Sequence, residues 1–271
     1  MTLRRIAAAA MAATLAVGLT ACSSSDSGGD KIKVGIKYDQ PGLGLKEGAG
    51  YSGFDVEVAK YVAEKMGHKE KDIDFVQAPS AQRETLIETG QVDYIVGTYS
   101  ITDARKQKVA FAGPYYIAGQ DLLVRSDDSA ITGLDSLNGK KLCSVKGSTS
   151  AQQVKDKVPG VNLQEFGTYS ECVSALVSKA VDALTTDDTI LAGYAAQDQY
   201  QGKLRVVGQP FTQERYGIGL KKGDVEKCTK ITDAIKAMIA DGKWQQALDD
   251  NLGKSGFKPG KGNPPTPDAC A

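Results

Sequence analysis

From residue 31 onward, short apolar runs alternate with amphipathic stretches along the chain. Ile32, Val34 and Ile36 alternate with polar or small residues, the period-two pattern of a half-buried strand. Phe54, Val58, Tyr61 and Val62 then fall on one helical face, so a helix is expected from near Gly53 to Gly67. Ser52 and Asp55 have the S-x-x-D spacing of a capping box at its start. Residues 73–76 read as a second strand, 80–88 as a helix closed by Gly90, and 92–96 as a buried strand.

The pattern restarts further on. Residues 121–125 form an apolar strand that runs into a polar break at 126–129, and 141–145 form another strand. Gly147-Ser148-Thr149-Ser150 offers hydroxyls just before a helix that ends by Pro159-Gly160. Residues 171–179 read as a helix capped by Ser170, 181–184 as a strand, and 187–196 as a helix capped by Asp187. Strands at 205–207 and 216–220 precede helices at 225–240 and 243–248. Strands alternating with helices of this length imply two α/β lobes, each a mostly parallel sheet flanked by helices. Ligands of open α/β sheets sit at the carboxyl ends of strands. Residues 98–100, 147–150 and 185–187 all lie just there.

The first thirty residues follow a different rule. Arg4 and Arg5 precede an apolar run over 6–19, which is shorter than the roughly 20 residues of a spanning helix. Such a run suits a secretory signal, expected over 1–21. It ends in Leu19-Thr20-Ala21-Cys22, which resembles the bacterial lipobox, with Cys22 as the residue that takes the lipid. The Ser/Gly-rich stretch 22–30 reads as a flexible tether. These features predict an extracytoplasmic protein held on the outer face of the cell membrane through lipidated Cys22.

Charge narrows the classes of partner. Without Arg4 and Arg5 the 33 basic residues become 31 against 33 acidic ones, a formal charge of −2. That balance gives no basis for binding nucleic acid or an anionic lipid surface. Beyond Cys22 the cysteines are Cys143, Cys172, Cys228 and Cys270. Four cysteines allow three pairings, among which sequence does not choose, and an oxidising setting favours bridges over free thiols. No CxxC pair is present and the single histidine, His68, stands in a polar run, so neither a zinc site nor a cofactor is expected. The Pro- and Gly-rich tail, 258–271, has no periodicity and is expected to be disordered unless Cys270 ties it down.

Two motifs carry a resemblance. The run Gly53-Phe54-Asp55-Val56-Glu57-Val58-Ala59-Lys60-Tyr61-Val62-Ala63-Glu64-Lys65-Met66 is similar to the signature of polar amino-acid solute-binding proteins of ABC importers. Ser100-Ile101-Thr102-Asp103-Ala104-Arg105, with Phe111-Ala112-Gly113-Pro114-Tyr115-Tyr116, resembles the second hallmark of that family (family 3 type). Asp39-Gln40-Pro41-Gly42-Leu43-Gly44, Pro79 to Leu86, Leu142 to Val145 and Val181 to Asp187 look like the glutamate-binding lipoproteins of actinobacteria. The resemblance implies a two-lobed periplasmic-binding-protein type II fold, a hinged Venus-flytrap. Lobe one would comprise 31–123 and 215–257, and lobe two 124–214, with crossings near 122–125 and 215–218.

The resemblance also implies a site. Arg105 would clamp the carboxylate of an amino acid, a task that suits a planar guanidinium. Thr98, Ser100 and Thr149 would add hydrogen bonds, and Asp187 would meet the ammonium. Arg83 and Lys37 are candidates for a distal carboxylate. Many relatives carry a Pro-Phe pair after the first strand, where this chain has Tyr38-Asp39-Gln40-Pro41, so Tyr38 is the candidate aromatic contact. The resemblance further implies a Cys143–Cys172 bridge, which leaves Cys228 and Cys270 as a second pair. The expected protein is a monomeric binder of L-glutamate, glutamine or aspartate that serves an ABC permease and its ATPase, with no catalytic residue. The alternatives are a ligand-binding sensor, or a dehydratase-like enzyme on the same scaffold.

Overall fold

The structure, a computed structural model, describes residues 31–253 and 256–270. Cys22, the apolar segment before it and the expected tether lie outside the described residues.

The chain opens with β1 (Ile32–Ile36) and a small antiparallel sheet of β2 (Asp39–Gln40), β3 (Gly44–Glu47) and β4 (Gly50–Ser52). Next come α1 (Phe54–Lys65), β5 (Ile73–Gln77), α2 (Arg83–Glu88), β6 (Tyr94–Ile95), α3 (Asp103–Lys106) and the long β7 (Val109–Ala118). The middle of the chain supplies β8 (Gln120–Arg125), β9 (Lys141–Val145), α4 (Thr149–Lys157), β10 (Asn162–Phe166) and α5 (Tyr169–Val177). It continues through β11 (Ala183–Asp187), α6 (Asp188–Ala195) and β12 (Leu204–Val206). The chain returns through β13 (Glu214–Lys221), α7 (Val225–Ala240) and α8 (Lys243–Leu252).

Two five-stranded sheets form the two lobes, in the orders β5-β1-β6-β13-β7 and β10-β9-β11-β8-β12. Each holds two parallel and two antiparallel ladders, so the sheets are mixed rather than mostly parallel. The reason is the crossing: β8 and β13 each arrive from the other lobe and run against both neighbours. The segments 122–125 and 215–218 pair inside the second and first sheets respectively. The chain changes sheet at Gly119 and again between Val206 and Glu214. A Cβ at Gly119 would lie 2.8 Å from Pro210 Cβ and 3.2 Å from Thr212 O, so the crossing segments pass this closely because that side chain is missing. Gln120 N donates to Thr212 Oγ1 (3.1 Å) and Phe211 N to Gln120 O (2.9 Å), which ties the two crossings together.

Aromatic packing joins the distant parts of the first lobe. Phe54 of α1, Tyr116 of β7 and Trp244 of α8 are fully buried, with Trp244 stacked on Tyr116 at 6.0 Å and edge-on to Phe54 at 5.6 Å. Trp244 Nε1 also donates to Tyr115 O (2.7 Å), which satisfies the polar tip of a buried indole. The tail is likewise placed. Asn263 brackets Ile117, accepting from its N–H (2.9 Å) and donating to its carbonyl (2.7 Å), while Asp268 N donates to Gly113 O (2.7 Å). Arg215 meets both carboxylate oxygens of Asp268 at 2.8 Å, and Cys228–Cys270 closes the strap. The other bridge is Cys143–Cys172, between β9 and α5.

Some local expectations change. The Ser52–Asp55 capping box does not form: Gly53 occupies the cap with no side-chain bond, and the Asp55 carboxylate turns inward. α5 is capped by Thr168, which shares a capping box with Glu171, rather than by Ser170. Strand β7 and the β2–β4 hairpin carry little period-two signal, because Gly113-Pro114 interrupts one and short Gly-rich strands make up the other. β7 is an edge strand, where a proline costs no ladder bond.

Candidate functional site

The site is built first on the loop after β6. Thr98 has φ 45°, a rare conformation for a β-branched residue. It is held there by its N–H to Asp55 Oδ2 (3.0 Å) and by its hydroxyl to the Gln40 amide (3.2 Å). Asp55 is fully buried, and its other oxygen accepts from Tyr115 OH (2.7 Å). Burial pushes the Asp55 carboxyl up to about 6, against the pull of those hydrogen bonds. Strain of this kind persists where neighbours over-determine it, and it clusters at ligand clamps.

Three cations converge on that loop. Arg83, the first residue of α2, donates Nη1 to Gly97 O (2.8 Å), and its Cζ lies 4.1 Å from the centroid of the Tyr99 ring. Arg105 of α3 donates Nη1 to Ser100 O (2.8 Å), faces the same ring at 4.9 Å and meets Glu84 Oε1 at 3.3 Å. Lys37 follows β1, with Nζ 3.4 Å from Ser80 Oγ and 5.9 Å from the ring centroid of Tyr169 in the second lobe. Arg83 and Lys37 are each 2% exposed and Arg105 8%, so all three are effectively out of water. Burial lowers Lys37 to about 8 and Arg105 to about 10, with the Arg83 charge adding to both shifts.

The second lobe brings complementary groups. Ser148 takes the N-cap of α4 by accepting from Ala151 N (3.0 Å), which frees the Thr149 hydroxyl to reach Ser100 Oγ (3.3 Å) across the cleft. Arg105 Nη2 also crosses, to Gly147 O (3.1 Å). Gly147 has φ 77°, and a Cβ on it would lie 2.7 Å from Ala81 Cα, so any side chain there would hold the lobes apart. Asp187 sits at the N-cap of α6 but makes no capping bond; instead it accepts from Tyr216 OH of the first lobe (2.6 Å). Its pKa is raised well above the usual carboxylate range, chiefly by burial and then by the Glu214 charge. Asp187 Oδ1 and Arg83 Nε are buried and have no partner.

Seven of the eight ligand candidates from the sequence therefore come together: Lys37, Arg83, Thr98, Ser100, Arg105, Thr149 and Asp187. Tyr38 does not join them. Its hydroxyl donates to Phe75 O (2.7 Å), and its ring packs against Tyr51 at 5.4 Å. Gln40, Tyr169 and Tyr216 belong to the constellation but were not read from the sequence, and Tyr99 and Gly147 lay in the segments expected at the cleft without being named as contacts. Tyr99 was legible as the residue between two candidates, whereas Tyr216 and Gln40 depend on tertiary placement. A broad groove of about 990 Å³ lies elsewhere, on the outer face of the first lobe, lined by Lys60, Tyr61, His68, Asp241 and their neighbours. Its charges are mixed and exposed, and it holds none of the convergent buried groups.

Comparison with known proteins agrees with the fold. A family model, bacterial extracellular solute-binding proteins, family 3, matches residues 32–254. The glutamate-binding protein GluB of Corynebacterium glutamicum is 51% identical over 284 residues, covering 97% of this chain and 95% of the relative. The ABC transporter glutamine-binding protein GlnH of Bacillus subtilis is 39% identical over 220 residues, covering 80% and 79%. Among solved structures, an ancestral arginine-binding protein bound to glutamine superposes with a TM-score of 0.77 at 33% identity, covering 83% of this chain and 98% of that one. No helix among the described residues is long and apolar enough to cross a membrane. The chain belongs to the bacterial extracellular solute-binding proteins of family 3.

Proposed function

We propose that the protein captures L-glutamate, and more weakly glutamine or aspartate, by closing its two lobes on the ligand. The observation that carries this reading is the charge layout: Lys37, Arg83 and Arg105 are buried on one wall, and Asp187 is buried on the other. Isolated buried charges are costly. A molecule with two carboxylates and one ammonium complements that set. In this reading Arg105 holds the α-carboxylate with Thr98, Ser100 and Thr149, and Asp187 receives the ammonium. Arg83 and Lys37 hold the distal carboxylate. The names of the relatives, glutamate-binding and glutamine-binding, support the same ligand class.

The crevice lined by Lys37, Tyr38, Asp39, Pro79 and Thr168 measures about 10 Å³, too small for an amino acid, and in this reading a ligand enters when the lobes part. The crossings at Gly119 and 207–213 are the proposed hinge. Binding rather than catalysis follows from the pairing of every charged group in the cleft with a ligand charge or a fixed neighbour. Delivery to the permease and ATPase of an ABC importer is the proposed destination, with the protein a monomer tethered through lipidated Cys22. Titration calorimetry of the purified protein with glutamate, glutamine, aspartate and arginine tests the reading. Saturable heat is expected for glutamate above all, and no heat with any of the first three would remove it.

A further inference from the structure

Asp39 lies in β2 of the first lobe, yet its carboxylate works on the second. Its Oδ2 accepts from Tyr169 N at 2.8 Å and lies 3.5 Å from Ser170 N, the first two N–H groups of α5. The helix serves the rest of its opening turn itself. Thr168 Oγ1 accepts from Glu171 N (3.3 Å), and the Glu171 carboxylate accepts from Gly167 N (3.0 Å) and Thr168 N (2.8 Å). Two donors at the positive end of the helix are thus left for an acceptor from the opposite lobe.

Three further contacts surround this one. Tyr194 of α6 donates its hydroxyl to Asp39 O and lies 3.4 Å from Asp39 Oδ2. Gly193 sits so near the first lobe that a Cβ on it would overlap Pro41 O. The Cys143–Cys172 bridge fixes α5 to β9, so the carboxylate meets a helix end that cannot drift. The bonds of Asp39 to Tyr169, Ser170 and Tyr194, and the approach of Gly193 to Pro41, span the two lobes, and each is lost when the lobes separate.

We propose that Asp39 is a positioning residue for closure, a helix cap supplied in trans that prolongs the closed, ligand-bound form without touching the ligand. This rests on the reading that the lobes close around an amino acid, and adds the residue that sets how long they stay closed. The expected signature is kinetic: Asp39→Ala releases glutamate about tenfold faster, as befits a lost hydrogen bond to a charged group. Glutamine and aspartate are released faster by the same factor, and their ranking is kept. Asp39→Asn, which keeps one acceptor oxygen, falls between, and Tyr194→Phe gives a smaller acceleration from the other side of the contact.

Stopped-flow release measurements on these variants provide the test. Unchanged release rates overturn the proposal, as does a change in ligand ranking, which would make Asp39 a ligand contact. Spin-label distances separate this outcome from failure of the functional reading. Labels at Val177→Cys in α5 and Val225→Cys in α7, both exposed positions, report the separation of the lobes. If none of the three amino acids binds, the functional reading falls, and Asp39→Ala must still lengthen the ligand-free distances. Identical distributions with and without Asp39→Ala overturn the closure role in either case.

Discussion

The two walls of the cleft are built in opposite ways. On the first lobe, Arg83 and Arg105 are held from within, by the carbonyls of Gly97 and Ser100 and by the shared Tyr99 ring. On the second, Asp187 finds no such support from its own lobe among the described residues: it accepts from Tyr216, which belongs to the first sheet. The wall proposed to hold the carboxylates is therefore preorganised, whereas the group proposed to meet the ammonium reaches its final environment only on closure. A ligand would dock on the first wall and be sealed by the second.

The sharpest way to break the comparison is to remove the preorganised clamp. Arg105→Ala should weaken glutamate binding roughly a thousandfold, since two charge-assisted hydrogen bonds are lost together. Calorimetry checks it, and a loss below tenfold would return Arg105 to a structural role. Asp187→Asn should cost roughly a hundredfold at neutral pH. Burial favours the protonated Asp187, and only the ionised form pairs with an ammonium. Affinity of the native protein should therefore rise with pH from the ordinary carboxylate range upward, and the variant should lose that slope. A pH-independent native affinity between 4 and 7 would contradict the assignment.

A smaller effect separates Arg83 from Arg105. Arg83→Ala should weaken glutamate about tenfold more than glutamine, because only glutamate brings a charge to that position. Equal losses for both ligands would take Arg83 out of the specificity role. The least effect on binding is expected at the hinge. Asp188 accepts from Gly119 N (3.3 Å), and burial raises its carboxyl to about 6. The folded chain keeps this proton to higher pH than the unfolded chain, whose carboxyl titrates near 3.8. Its contribution to stability thus falls as pH rises between those values, by at most about 1.4 kcal/mol per pH unit. Asp188→Asn should flatten that part of the denaturation profile, with little change in ligand ranking.

Much of this was legible from local sequence. Thr98, Ser100 and Thr149 follow strand ends or begin a helix, and the resemblance of the motifs to a known family brought Arg105 to the cleft with them. The T-x-x-E spacing of Thr168 and Glu171 was equally local, though Ser170 drew the cap assignment. Asp55 misled for a physical reason: its spacing suits a cap, but Thr98 N and Tyr115 OH from distant segments compete for the carboxylate and win. Tyr38 is held away from the cluster because its hydroxyl finds Phe75 O and its ring finds Tyr51. Gln40 and Tyr216 could not be read, since their partners, Thr98 and Asp187, are set by sheet order and by the meeting of the lobes.

The tail along β7 has a consequence for handling the protein. β7 closes one side of its sheet, and its free backbone groups would otherwise invite a strand from another molecule. Asn263 and Asp268 occupy Ile117 and Gly113, and the Cys228–Cys270 bridge keeps them in place. Production in a reducing compartment would release that strap and leave an open sheet edge, so recovery of soluble protein should depend on an oxidising route.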